Sequence, residues 1–502
     1  MTTLIRNAVI VAPGKKSTER LDVFVSGEKI SAIGSFPQRI ADEVIDAEGA
    51  YLAPGFIDVN TDSDHYLSLF SNPRQDDFLR QGVTTIVGGQ CGASLAPLLY
   101  GSLESIQKWV DVSKVNVDWH LTGELLKVLD KQKLGVNFAT LVGHSTIRRA
   151  LVGETLRDLS PNEIQIFKTV VRQALREGAF GFSSGLSYIH SFHTPSEELQ
   201  KLAAVVRDEK GLYATHLRKA KEDIHHSVEE TITLARSVKI PTVISHYLPV
   251  KGFEKQYQHG LEQISNISHD QPFYFDLYPF DVSVLPLYTF LPAWAQNGGL
   301  GAMNINLADE WMSKKILRDL PNFEEDDFTV SRAVNNETLV GSNLGDIARM
   351  YGLRSTSEAL LKLMQTTKLK ASIFYHNVNM EVVKTALAHP RSLIASNAAS
   401  FHENKLMRKP ARASGTFPAF LKLLEKDRLL PLKEGIQKIT ATPAKLYGFN
   451  DRGEVKEGFI ADLACFKDGA IKFTMVGGVV AFRDGHFTGR RAGKVLRHTS
   501  KQ

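Results

Sequence analysis

Between residues 55 and 395 a short apolar run followed by a stretch of helical periodicity recurs, and few folds accommodate that rhythm. The runs lie at 55–59, 84–88, 137–142, 179–183, 211–215, 242–245, 272–277 and 392–395. Helical periodicity is clearest over 162–177, 227–238 and 357–367. Parallel strands cannot be joined by tight turns, so each needs a crossover helix. Eight such units predict an α/β chain whose centre is a closed (β/α)8, TIM-like barrel.

The two ends of the chain read differently. Residues 3–11, 20–26 and 29–33 alternate like half-buried strands, and so do 461–466, 470–476 and 479–483. A small β-sandwich assembled from both termini is therefore expected. It would take residues 1–54 and 439–502, with the barrel at 55–438. The long gap before the eighth run, about 285–343, holds Trp294 and an acidic run at Glu324–Asp327, and it predicts an inserted subdomain. The basic tail 490–502 is expected to be frayed.

Bulk properties exclude several classes. With 43% apolar and 23% charged residues the chain has a soluble globular composition. A net charge of +5 over 502 residues, without a basic stripe, argues against nucleic-acid binding. No run approaches the roughly 20 apolar residues of a membrane span, and residues 1–11 do not form a secretory signal. Cys91 and Cys465 are too few for a disulfide framework, and a reducing cytoplasm is expected. The partner implied is a small-molecule substrate, neither nucleic acid nor membrane, with homo-oligomerisation left open.

Barrel chemistry collects where strands finish. The ends here carry Asp58, Asn60, Asp62 and Asp64, then Cys91, His144, Ser183 and Ser184. Next come His216 and Arg218, His246, Asp276 and Tyr278, and Asn397. A lone histidine after a strand is usually a satisfied polar residue, and a lone cysteine a small buried hydrophobe. Jointly, Cys91, His216 and His246 form a thiolate and two-imidazole set that suits one zinc ion and leaves a fourth position open. Iron and cobalt also accept such donors. His190, His193, His225, His226, His259 and His376 are read as surface or core residues. Ser183 and Ser184 lack the Gly-x-Ser-x-Gly elbow of a serine nucleophile.

Several stretches in order carry a family resemblance: APGFID at 53–58, VGHSTIRRAL at 142–151, GAFGFSSGLSY at 178–188, THLR at 215–218 and GTFP at 415–418. Over nearly its whole length the chain resembles the D-aminoacylase, or N-acyl-D-amino-acid deacylase, branch of the amidohydrolase superfamily. The resemblance implies the same barrel, sandwich and insertion, and zinc on Cys91, His216 and His246. It further implies that Arg412 binds a substrate carboxylate and that Tyr188 and Arg218 lie in the substrate pocket. His144, within the shared stretch at the third strand end, is counted with them.

The chain departs from the family pattern in the chemistry. Asn60 and Asp62 stand where a His-x-His pair holds a second metal, Asn397 where an Asp binds that metal and acts as base, and Leu248 where a Lys is expected. Asn397 cannot accept a proton at neutral pH. Asp62, Asp64 and His65 are the nearest replacements, with Asp276 another. The expected enzyme is a metal-dependent hydrolase of C–N bonds other than peptide bonds. In it a metal-activated hydroxide attacks the amide of an N-acyl-amino acid, and Asp62 or Asp64 shuttles the proton. Two alternatives stay open. One is a cyclic-amide hydrolase of the dihydropyrimidinase or dihydroorotase kind. The other is a catalytically silent metal-binding barrel that binds a ligand or partner. Asp62 and Asp64 also have a plain reading, as caps of the helix that follows.

Overall fold

A computed structural model of the chain describes residues 1–11, 19–100, 103–106, 109–110, 112, 116–153, 155–333 and 336–499. Its centre is a ring of parallel strands: Phe56–Asp58, Val83–Gly88, Asn137–Thr140 continued by Val142–Gly143, Gly181–Gly185, Leu212–His216, Thr242–Ile244, Phe273–Leu277 and Ser392–Ile394. They pair in sequence order in a three-stranded and a six-stranded ladder, and the break in the third strand at Leu141 separates the two. These are the eight apolar runs of the sequence.

Both faces of each strand are buried, which explains why the runs are continuously apolar. Ile57, Val87, Ala139, Ala214, Val243 and Leu393 fill the barrel interior. Their neighbours Phe56, Ile86, Phe138, Ile244 and Ile394 face the surrounding helices. Both bulky aromatics named here, Phe56 and Phe138, lie on the outer face, which fits the narrow bore of an eight-stranded ring.

The ring closes between its first and eighth strands without a full ladder. The amide of Asn397 donates to Asn60 O (2.9 Å) and that of Asp62 to Ala398 O (2.9 Å). Just below, the buried Asp58 carboxylate accepts the Ser396 amide through both oxygens (3.1 and 3.2 Å) and that of Asn60 (3.3 Å). A side chain thus completes the seam where strand pairing stops.

Strands from both termini join in one nine-stranded sheet, with Tyr51–Pro54 pairing antiparallel to Leu463–Lys467. Alternation sorts its side chains between two cores. Leu463 and Cys465 pack with Ile5, Val23 and Leu52, while Ala464 and Phe466 face the barrel. Burial pushes the Cys465 thiol up to about 12, which fits a core residue. The tail expected to be frayed is instead docked: Lys494, Leu496 and His498 hydrogen-bond to Phe138 and Gly178 beneath the third and fourth strands. Its final residues, 500–502, lie outside the described residues.

The inserted segment has its own antiparallel sheet, Ser283–Pro286, Phe328–Ala333 and Ala371–Tyr375. Its core reaches beyond the 285–343 read from sequence. The helix Thr356–Thr367 sends Leu360, Leu363 and Met364 against Leu287, Phe328 and Ile373. Helical periodicity marks an apolar face but not which of two cores receives it. Among the described residues no helix is long and apolar enough to cross a membrane.

Asp58 offers a test of the seam. Removing its carboxylate by Asp58→Ala leaves buried amides unpaired and should cost ~2–4 kcal/mol in urea unfolding. Asp58→Asn keeps an acceptor and should cost less than half of that. Burial pushes the Asp58 carboxyl up to about 7 from its ordinary 3.8. Its contribution is therefore fully present at low pH and is lost as pH rises towards 7. The Asn variant, which does not ionise, should gain on the wild type as the pH of the titration is raised from about 5 to about 8.

Candidate metal centre and cavity

Three of the strand-end residues turn into the barrel mouth through left-handed backbone: Cys91 (φ 52°), His246 (φ 36°) and Asn397 (φ 44°). Such conformations are rare for residues with a Cβ and persist only where the surroundings hold them. The Cys91 turn is held by glycines. Gly92 follows with φ 77°, and Gly185 ends the fourth strand so close by that a Cβ on it would lie 2.2 Å from Cys91 O. His246 is held from the seventh strand, where Asp276 accepts its amide through Oδ1 at 2.8 Å.

The result is convergence. The ligand atoms of Cys91, His216 and His246 all lie within 4.8 Å of one another, the one such group of three among the described residues. Cys91 Sγ is 3.3 Å from His246 Nε2, and the two imidazoles meet edge to face at 4.2 Å between ring centroids. Burial pushes His246 down to about 4, so its ring is neutral at pH 7 and offers a lone pair. His216 Nε2 also lies 2.8 Å from Ser187 Oγ. A cysteine sulfur and two imidazoles on three sides of one point are donors that suit a zinc ion with an open position.

These residues border a cavity of about 420 Å³. Tyr188 lines it, its ring 5.3 Å from that of His216, and so do Asp62, Asn397 and Arg412. Arg412 is only partly committed to the protein. Nε bonds Ser396 O (2.9 Å), Nη2 bonds Asn397 O (2.8 Å) and Nη1 bonds Val282 O (3.3 Å). Each terminal nitrogen carries two hydrogens, so a donor on each remains for a ligand.

Other sequence-marked residues lie elsewhere. Arg218 does not line the cavity; Glu230 grips it at 3.0 and 2.7 Å, and the carbonyls of Phe192 and Thr194 take its remaining donors. His144 is fully buried away from the cavity, its Nε2 2.8 Å from Glu198, which also receives Arg148. Asp64 points back to the Gly89 amide at 2.6 Å. The side-chain amide of Asn60 donates to Asp276 at 3.2 Å. The alternation rule places each of these at a strand end, but a nearby buried partner decides where the side chain goes.

Asp62 does reach the cavity and remains anionic. Burial works against its charge, but the hydrogen bond and charge of His65, with Arg412 and His246 beyond, hold its carboxyl below the usual range. Sequence reasoning missed the aromatic and apolar walls. Tyr66 stacks on Phe401 at 5.4 Å, and Leu285, Tyr288, Phe290 and Tyr375 come from the inserted segment. No local signal marks the latter, because they belong to an element outside the barrel.

The sequence model of the amidohydrolase family matches residues 357–481. The D-aminoacylase of Alcaligenes xylosoxydans xylosoxydans is 27% identical over 99% of this chain and 98% of its own length. The structure of N-acyl-D-glutamate deacylase from Bordetella bronchiseptica, complexed with zinc and a phosphonate mimic of the tetrahedral intermediate, superposes with a TM-score of 0.81. It is 25% identical and matches over 99% of both chains. A D-aminoacylase structure with a binuclear metal centre, described by one-metal activation and second-metal attenuation, gives a TM-score of 0.80. Its identity is 26%, again over 99% of both chains. With the barrel and the Cys-His-His cluster, these matches make the chain similar to amidohydrolases over nearly its whole length. The likeness is to D-aminoacylases, with an altered second-metal region and no carboxylate at 397.

The support given by Asp276 is testable through metal affinity. Asp276→Ala frees the His246 amide and should weaken zinc binding about 10–100-fold, the range for supporting partners of ligands. Asp276→Asn, which keeps the acceptor, should fall between. Competition with a chromophoric chelator measures both.

Proposed function

We propose that the protein is a single-zinc amidohydrolase that cleaves the C–N bond of N-acyl-amino acids of D configuration and apolar character. The observation that carries this reading is the meeting of a Cys-His-His cluster with one ionised carboxylate, Asp62, in the same cavity. When bound, zinc supplies Lewis-acid polarisation of the amide carbonyl and a water acidified towards a pKa of about 7.

The chain's own residues do the rest. Asp62 Oδ1 is engaged by His65 (3.0 Å), so proton transfer falls to Oδ2. That atom takes the proton of the attacking water and returns it to the leaving nitrogen. Asn397, neutral and without a proton to exchange, orients the substrate by hydrogen bonding. Arg412 holds the substrate carboxylate with its remaining donors, fixed by its bonds to the 396–397 backbone and by the Tyr278 ring beneath it at 4.6 Å. Tyr188, whose hydroxyl burial holds far above its ordinary range, stays protonated and donates to the carbonyl oxygen side. Leu217, Leu248, Val250, Leu285 and Phe290 form walls that exclude water and favour apolar acyl groups or side chains over acidic ones. A free thiolate ligand suits a reducing cytoplasm.

Metal analysis of the purified protein should find about one zinc per chain, lost in Cys91→Ala, the stoichiometry a three-ligand catalytic site requires. The wild type should hydrolyse N-acetyl-D-leucine faster than N-acetyl-D-aspartate and leave hydantoins intact. Asp62→Asn should lower kcat by about 10²–10⁴-fold. Asn397→Asp should gain less than about tenfold, since the base is already supplied. A metal-free wild type, or opening of cyclic amides with N-acyl-amino acids untouched, overturns the reading.

A further inference from the structure

His65 occupies a position that leaves its ring no choice of charge. It is 2% exposed, and each ring nitrogen faces an acceptor: Nδ1 lies 3.0 Å from Asp62 Oδ1 and Nε2 lies 3.1 Å from Ala93 O. A carboxylate and a carbonyl have no hydrogen to give, so both ring nitrogens must carry one. A neutral imidazole would set a lone pair against an oxygen in a buried site, at the full cost of an unmade bond. Asp64 Oδ2, 3.9 Å from Nε2, adds a second anion beside the ring. Burial alone pushes His65 down, but Asp64 and Asp62 reverse this and bring it to about 9.

The ring also joins two loops. Asp62 follows the first strand, and Ala93 lies two residues beyond Cys91, after the second. His65 therefore links the cavity carboxylate to the turn that carries the thiolate. We propose that His65 is a permanently protonated positioning residue that holds the Asp62 carboxylate in fixed register with the Cys91 turn. The inference rests on the reading of Asp62 as the proton-transfer group.

The consequences separate by atom. His65→Asn places an amide donor near Nδ1 and keeps the bond to Asp62; His65→Gln reaches towards Nε2 and keeps only the bond to Ala93; His65→Phe keeps neither. Loss of positioning should lower kcat about 100-fold in the Phe and Gln variants, with KM within about threefold and zinc content unchanged. The Asn variant should recover at least about tenfold of that loss. Independently of turnover, 15N-histidine NMR should show one ring, absent from the His65→Asn protein, protonated on both nitrogens at pH 7.

A neutral ring at pH 7, or equal kcat for the Asn and Phe variants, overturns the proposal. If the wild type hydrolyses no amide, the enzymatic reading fails separately. The NMR signal then decides the His65 pairing by itself.

Discussion

The amides of Asn397 and Asp62, paired with the carbonyls of Asn60 and Ala398, close the barrel between its first and last strands. The arrangement of the cavity depends on this seam. It brings Asp62 and Asn397 side by side although 335 positions separate them, and it gives Arg412 two adjacent carbonyls, Ser396 and Asn397, on which to rest. Asp58 supports the seam from below with a buried carboxylate. A polar lattice at this depth is demanding, because each unpaired member would be expensive. It also admits few alternative arrangements, and so it specifies side-chain positions that an apolar seam would leave loose.

The three altered second-metal positions, 60, 62 and 397, make sense within that lattice. The amide of Asn60 points at Asp276, which in turn holds the His246 amide, so position 60 supports His246 through Asp276. Asp62 turns the other way and presents a charge to the cavity, with His65 behind it. Asn397 contributes its backbone to the seam and a neutral amide to the cavity lining. Each change has a hydrogen-bonded role that connects it to the next. On the proposed reading, the carboxylate absent at 397 is supplied across the seam from 62, the neighbouring strand end.

Much of this was legible in the sequence, for a definite reason. Strand and helix periods mark the eight barrel units, and the strand-end rule then selects Cys91, His216 and His246, residues 155 positions apart at the extremes. The rule fails where a side chain has a strong partner nearby. Arg218 turns to Glu230 and His144 to Glu198, and both partners lie on helices whose facing is set by tertiary packing. The choice of Asp62 over Asp64 was likewise open, since alternation does not extend into the loop after a strand. The reach of the inserted core to Ile373 and the docking of Lys494 and Leu496 depend on which surface an apolar or extended segment meets, and periodicity is silent on that.

The left-handed residues show how the site is prepared. Conformations of this kind cost roughly 1–3 kcal/mol each outside glycine. Cys91, His246 and Asn397 adopt them with support from the protein itself: the Gly92–Gly185 approach for the first, the Asp276 carboxylate for the second, the Asn60 carbonyl and Arg412 guanidinium for the third. The directions of these three side chains are thus supported by backbone hydrogen bonds and close packing within the protein. A site built this way has little ordering left to do on binding, so binding energy goes into affinity instead of folding. The same rigidity limits its chemistry. On the proposed reading, the scissile bond lies between Asp62 on the first-strand loop and the cluster on the second, fifth and sixth strand ends, with the apolar walls from the inserted segment on the remaining side.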